Sequence, residues 1–249
     1  MTDEYAELGE FHDLFMSDTW NVLVPALAAA FGGLAPEATI VDLGAGSGVG
    51  TKRLAYVTRA QIVAIERSLT MRAGLFARIC DDPELSQRVT VLAGALPSVL
   101  DEIHHPVDGF VCAHMLGHLS AEERRDTFAR LSALLAPAGV GLVTLPRDAS
   151  DAGVESREVI EERWIGRHRY LARHVAEDSD GNGFSEYRVL DGDRTIRSAT
   201  FASSWSMPTY DELLAELAAT GLTLEPLTAP TSDNESQLRP TVGSVRLAE

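Results

Sequence analysis

Lysine is almost absent: Lys52 stands alone beside 20 arginines. With abundant alanine, that bias points to a GC-rich bacterial coding sequence and says nothing about chemistry. Positive charge as a whole is short, 21 basic against 37 acidic side chains, for a formal net charge of −16. A chain so acidic lacks the basic footprint that nucleic-acid phosphates or an anionic membrane surface require. Only two cysteines occur, Cys80 and Cys112. They exclude a disulfide scaffold and fit a reducing compartment, the cytoplasm. No uninterrupted apolar run approaches the roughly 20 residues that span a bilayer. The opening MTDEYAELGE is too acidic and polar for a signal or transit peptide. Fixed-period repeats and long low-complexity tracts are missing too. What is present is ordinary globular material, 45% hydrophobic and 23% charged. Its 249 residues allow one large domain or two small ones with a sizeable core.

Periodicity predicts helix over residues 5–31, with Leu8, Phe11, Phe15, Val22, Leu23, Ala26, Leu27 and Ala30 as its apolar positions. Asp18 or Thr19 can cap a second helix there, and Gly32-Gly33 stops it. TIVDLG (39–44), QIVAIE (61–66), RVTVLAG (88–94), GFVCAH (109–114) and GVGLVTLP (139–146) read as buried strands. Helices of about 50–58, 68–80 and 121–135 separate them, the last ending at Ala-Pro-Ala-Gly (136–139). Such alternation calls for a mostly parallel sheet with helices on both faces. Beyond Pro146 the rhythm breaks. Segments 167–178, 184–192 and 195–205 are joined by Gly-Asn-Gly (181–183) and Asp-Gly (191–192), which are hairpin turn signals, so a small antiparallel add-on is expected. A helix at 209–220 and strands at 223–227 and 241–247 would close the main sheet, with SDNESQ a polar loop between them.

The strongest local signal is VDLGAGSGVG (41–50), a strand running through glycines into a helix. Glycines admit positive φ and close approach of a ligand, while the helix start offers free N–H groups. The dinucleotide pattern G-x-G-x-x-G fails in both frames, ending on Val49 or Thr51. A phosphate-binding Walker loop fails because Lys52 lies between Thr51 and Arg53. What remains is Asp42, Gly44, Gly46 and Gly48 in Asp-x-Gly-x-Gly-x-Gly, with Glu66 ending the next strand. A carboxylate there can accept two hydrogen bonds from a ribose diol.

With these motifs in order, the sequence resembles the class I S-adenosylmethionine-dependent methyltransferases of the small-molecule type. The resemblance covers residues 38–146 strongly and 205–227 more weakly. VDLGAGSG matches the first motif, AIERS (64–68) the acidic second strand end, LLAPAGVGLV (134–143) the late helix-to-strand segment, and AHMLGHLS (113–120) the segment after strand four. EFHDLF (10–15) is similar to the family's N-terminal YDLF, with His12 at a tyrosine position. The fold implied is a Rossmann-like seven-stranded, mostly parallel sheet. Its parts would be an N-terminal helical lid (1–37), a cofactor-binding core (38–146), an antiparallel substrate-side insertion (147–208) and a closing helix and strands (209–249). The cofactor implied is S-adenosyl-L-methionine, with S-adenosyl-L-homocysteine as product.

The resemblance also implies roles. Gly44, Ala45, Gly46 and Gly48 would pass the methionine part, with Asp42 supporting the turn and its amino end. Glu66 would hold the ribose hydroxyls, and Arg67 with Ser68 would flank the adenine. The family's acidic residue after strand three is missing from Gly94-Ala95-Leu96, which leaves adenine to the backbone of Ala95 and to packing by Leu96. Ala113 and His114, ending strand four, would lie near the sulfonium. His118, then His12, then His114 are the candidate general bases; the bland alternative is three partly buried packing residues. His104-His105 near Asp101 and Asp108 reads as a solvated loop, so no metal site is expected. Cys80 reads as a helix-packing residue, Cys112 as a small strand residue. Tyr170, Tyr187, Trp164 and Trp205 read as core of the add-on sheet, the alternative being that some of them roof the substrate pocket.

The signatures for amino groups of nucleobases, for cytosine carbon, for ribose and for metal-bound catechols are each absent. The expected partner is therefore a small, uncharged or cationic organic acceptor methylated on oxygen, nitrogen or carbon, in a bacterial biosynthetic setting. A homo-oligomer stays open. The rival reading is a protein that keeps the cofactor pocket but catalyses a cyclisation or rearrangement, or only binds.

Overall fold

The computed structural model describes residues 3, 5–145, 158–175, 183–202, 207–227 and 242–248. Two compact units emerge, one of Thr19–Arg147 with Ser206–Glu249, the other of Met1–Asp18 with Asp148–Trp205.

The larger unit is built on a seven-stranded sheet. Its strands are β1 (Thr39–Leu43), β2 (Gln61–Ile65), β3 (Val89–Leu92), β4 (Val107–Cys112), β5 (Leu135–Thr144), β10 (Leu222–Leu227) and β11 (Val242–Leu247). They lie in the order β10-β11-β5-β4-β1-β2-β3. β3, β2, β1, β4 and β5 are parallel, and β11 and β10 close the sheet antiparallel. Side chains alternate across the strands. Val41, Leu43, Phe110 and Cys112 join one core with Phe128, Leu131, Leu213 and Leu217 of α5 (Ala121–Leu134) and α6 (Tyr210–Ala218). Ile40, Ile62, Ala64 and Val111 join the other with Trp20, Leu23, Leu27 and Phe31 of α1 (Gly9–Phe31), Leu54 of α2 (Val49–Val57) and Leu75 of α3 (Leu69–Cys80). Both faces are covered, as alternating strands and helices require. Ser120 and Thr209 each form a capping box with the glutamate three residues on, which fixes where α5 and α6 begin.

The smaller unit is a four-stranded antiparallel sheet of β6 (Glu158–Ile165), β7 (His168–Val175), β8 (Phe184–Asp191) and β9 (Arg194–Ala202), in sequential order. The first turns of α1 pack on it through Phe11 and Phe15, beside Ala172, Tyr187 and Val189. Phe11 stacks on Tyr187 with ring centres 4.9 Å apart.

Several expectations are corrected. One helix runs through Asp18 and Thr19; Asp18 caps nothing and instead accepts from the Arg163 guanidinium at 2.9 Å. By length and composition α1 is apolar enough to cross a membrane. Glu10, Asp13 and Asp18 break its apolar run in the sequence, and its apolar stripe is spent on the protein's own cores. Strand β5 starts at Leu135, with no connection at Ala-Pro-Ala-Gly, because the chain turns extended directly after α5 and absorbs the extra residues in an irregular register against β4. A short helix α4 (Pro83–Arg88), N-capped by Asp82, and the strand β6 were not foreseen. Trp164 is 59% exposed and is no core residue, because alternation turns it to the face opposite Arg163. Cys80 is exposed on α3, on the side away from the buried Leu75 and Ile79. The readings of Gly181-Asn182, SDNESQ, Trp205 and Pro146 lie outside the described residues. The remaining turn is as expected: Gly192, at φ +61, connects β8 to β9.

Candidate functional site

The strand order reverses between β1 and β4, and in a parallel sheet that switch opens a crevice at the carboxyl ends of the strands. The loops after β1, β2, β3 and β4 carry Gly44–Gly48, Glu66–Ser68, Ala95–Leu96 and Ala113–His118. The topology therefore lines them along one edge.

Within the first loop Gly44, Gly46 and Gly48 take φ of +68°, +58° and +87°. Only glycine adopts that conformation at little cost, so the spacing of the motif is a backbone requirement. At Gly48 a Cβ would also lie 2.6 Å from Leu75 Cδ1. Four hydrogen bonds shape the turn. The Ala45 N–H donates to the Ile65 carbonyl at 2.8 Å, and the Gly48 N–H to the Ala45 carbonyl at 3.0 Å. The Gly46 N–H donates to Glu66 Oε2 at 2.9 Å, and the Ser47 carbonyl accepts from Arg78 Nη1 at 2.6 Å. Glu66 is only 6% exposed, and its other oxygen accepts from the Ser68 N–H at 2.6 Å. Its carboxylate is thus aimed by two N–H groups and keeps further lone pairs able to accept. The sequence placed Glu66 at the site but missed that it ties the second strand end to the glycine turn.

Asp42 lies under the turn, buried in β1, and accepts from the Thr51 hydroxyl at 2.7 Å. Burial, reinforced by the like charge of Glu66, outweighs that hydrogen bond and raises its pKa from the ordinary 3.8 to about 6. Burial beside Asp42 pushes the Cys112 thiol up to about 12, so this cysteine is an inert strand residue, as its sequence context suggested.

The end of β4 meets the turn directly, since a Cβ on Gly44 would lie 3.3 Å from Met115 Cβ. His114, at φ +57°, is the one described non-glycine residue with positive φ, a strain that clusters at functional sites. Its N–H donates to the Thr144 hydroxyl at 2.9 Å, and Trp20 packs edge-on against its ring at 5.6 Å. Trp20 also covers the start of α2, where a Cβ on Gly50 would collide with its indole. Ala113 is buried, while half-buried His118 ends a 3-10 turn, Leu116–His118. That segment is held from behind. Arg124 donates to the Leu119 carbonyl at 2.8 Å and makes a buried two-point ion pair with Glu216, also at 2.8 Å.

After β3 the Ala95 carbonyl already accepts from the Val99 N–H and the Ser98 hydroxyl, both at 3.1 Å. The role expected of its backbone therefore narrows to its N–H. Leu96 is buried in a main core, and Arg67 is exposed. His12 belongs to the smaller unit, hydrogen-bonded to Asp13 at 3.2 Å and edge-on to Tyr5. Asp101 pairs with Arg130, and Asp108 accepts from the Thr39 N–H at 2.8 Å. Among the described residues no three histidines, cysteines or carboxylates form a metal-holding group.

Three left-handed glycines are thus laced to a buried acidic strand end. Residues 40–139 match the family described as methyltransferase domain. Over that stretch the chain is similar to a methyltransferase domain, and its sheet has the class I methyltransferase fold. Solved structures share the fold over nearly the whole length. SAM-bound CalS10, an amino pentose methyltransferase from Micromonospora echinaspora involved in calicheamicin biosynthesis, aligns with TM-score 0.71 at 18% identity, covering 98% of each chain. The sugar N-methyltransferase KedS8 from a Streptoalloteichus species aligns with TM-score 0.69 at 14% identity, covering 100% of this chain and 95% of that one. DesVI from Streptomyces venezuelae gives TM-score 0.69 at 14% identity, over 97% and 94%. No curated protein matches the chain.

Sequence reasoning missed Trp20, Thr51, Arg72, Arg78, Thr144, Arg124 and Glu216, the side chains that hold these loops in place. Threonines and arginines in strands and helices carry no local signal of a docked partner far along the chain.

Proposed function

We propose that this chain transfers a methyl group from S-adenosylmethionine to a nitrogen or oxygen of a small organic acceptor, in the cytoplasm of a bacterium and in the making of a secondary metabolite. The observation that carries the reading is the Glu66 carboxylate bonded to the Gly46 N–H at the mouth of the left-handed turn. Gly44, Ala45, Gly46 and Gly48 would receive the amino acid part, with Asp42 behind them. Glu66 would take the ribose diol, and Arg67, Ala95 and Leu96 would border the adenine. Amino sugars head the acceptor list, supported by two of the structural neighbours, which are described as methyltransferases of an amino pentose and of a sugar nitrogen.

The cofactor supplies an electrophilic methyl on a positive sulfonium. The protein's share is to align an acceptor lone pair with that methyl, which can be worth roughly 7–11 kcal/mol of the barrier, and to remove the acceptor's proton. An imidazole, with an ordinary pKa near 6.5, suits that proton. His118 is first choice, then His12, then His114, whose strained backbone sets it at the end of β4.

Incubation with S-adenosylmethionine and a panel of amino sugars, other small amines and hydroxyl compounds, followed by mass spectrometry, tests the reading. A gain of one CH2 unit on a panel member supports methyl transfer. Tight cofactor binding with an isomerised or cyclised product and no mass gain would overturn it.

A further inference from the structure

The glycine turn does not hold its shape alone. Ser47 sits between two left-handed glycines, and the peptide joining it to Gly48 is pinned at both ends. Its carbonyl accepts from Arg78 Nη1 at 2.6 Å, and its N–H donates to the Ala45 carbonyl at 3.0 Å. Arg78 comes from α3, 31 positions along the chain. An earlier turn of the same helix supplies Arg72, whose Nη1 donates to the Glu66 carbonyl at 2.8 Å and to the Arg67 carbonyl at 2.6 Å. Gly74 lies between the two arginines, and a Cβ there would sit 3.2 Å from Ser47 Cβ. Its missing side chain lets α3 pack close against Ser47. One helix therefore grips the cradle twice, at the glycine turn and at the loop carrying the acidic strand end.

We propose that Arg78 is a positioning residue for the amino acid end of the methyl donor, acting through the Ser47 carbonyl. The inference rests on the cofactor reading above. A guanidinium stays charged at every working pH, and its bond to a carbonyl is stronger than a neutral one. It fixes the plane of the Ser47–Gly48 peptide and hence the direction of the N–H groups that follow it into α2. It also places a permanent positive charge behind a turn that would receive a carboxylate. Arg72 serves the nucleoside half in the same way, so the two halves of the cradle are held by separate side chains.

That separation gives the test. S-adenosylhomocysteine carries the amino acid part; 5′-methylthioadenosine is a nucleoside thioether without it. Affinities of both ligands are measured for the wild-type chain and for Arg78→Met, by calorimetry or, for weak binding, by ligand-observed NMR titration. Arg78→Met is expected to weaken S-adenosylhomocysteine by about tenfold or more, as loss of a charged hydrogen bond implies, and 5′-methylthioadenosine by less than about threefold. Equal weakening of the two, or weakening of neither, overturns the proposal. Should Arg78→Met fail to fold by its thermal transition, Arg78→Lys is read by the same ratio, because lysine keeps the charge without the fork. A wild-type chain that binds neither ligand would instead defeat the cofactor assignment.

Discussion

Asp42 should lower the stability of the ligand-free protein at neutral pH, and the effect can be isolated by Asp42→Asn. Burial lifts this carboxyl from the ordinary 3.8 to about 6. The folded chain therefore holds the proton more tightly than the unfolded one, and folding is favoured where the group is protonated. That contribution is fully present below 3.8 and is lost as the pH rises through 6. A shift of about two units corresponds to roughly 3 kcal/mol lost by pH 7 to 8, of which about 1–2 kcal/mol disappears between pH 5 and pH 8. Asparagine keeps a carbonyl to accept from the Thr51 hydroxyl and does not titrate. Its extra N–H2 adds an offset that is the same at every pH, so the slope is what matters. Urea unfolding of both chains from pH 5 to pH 8 should show the wild type losing about 1–2 kcal/mol relative to Asp42→Asn as the pH rises. A difference that stays flat, or that grows in favour of the wild type, would refute the argument. The first would mean that Asp42 is not perturbed, the second that its charge is stabilised in place. If Asp42 lies behind the bound cofactor's amino end as proposed, saturating S-adenosylmethionine should favour its charged form and flatten the slope.

Legibility in the sequence divides along a physical line. The parallel core was readable because each strand, such as TIVDL or QIVAI, is a short apolar run buried on both faces and followed by a break. The glycine turn was readable because positive φ limits the residue choice, and Glu66 because its place is counted from the next strand end. The supports of those loops were not. Arg78 reaches Ser47 across 31 positions, and Arg124 reaches Glu216 across 92. An arginine on a helix looks the same whether its fork is docked or solvated. Strand β6, EVIEERWI, went unseen because Glu161 and Arg163 hold the half-buried positions of its alternation, where apolar residues are expected. Arg163 there is engaged by Asp18 and by Glu161, which explains how a charged side chain can occupy that face.

The remaining predictions concern the cofactor and the base. Glu66→Ala should weaken S-adenosylmethionine by about 1.5–3 kcal/mol in titration calorimetry, since charge-assisted bonds to the ribose are lost; an unchanged affinity would remove the ribose assignment. Gly46→Val should leave the thermal transition recognisable but abolish binding, because a β-branched residue resists φ +58° and crowds the cradle; normal affinity in a folded variant would count against the whole site. For the base, His118→Ala, His12→Ala and His114→Ala should be assayed with the true acceptor between pH 5 and pH 9. The base among them should lose roughly 100- to 10,000-fold in rate with cofactor affinity nearly intact, and the acidic limb of the rate profile should vanish with it. His114→Ala carries a second signature, because alanine resists the left-handed backbone that His114 adopts at φ +57°. A His114→Gly variant that recovers stability but not rate would separate the imidazole from the strain. If no variant falls by more than about tenfold, methyl transfer here proceeds by alignment alone, onto an acceptor whose lone pair is already free.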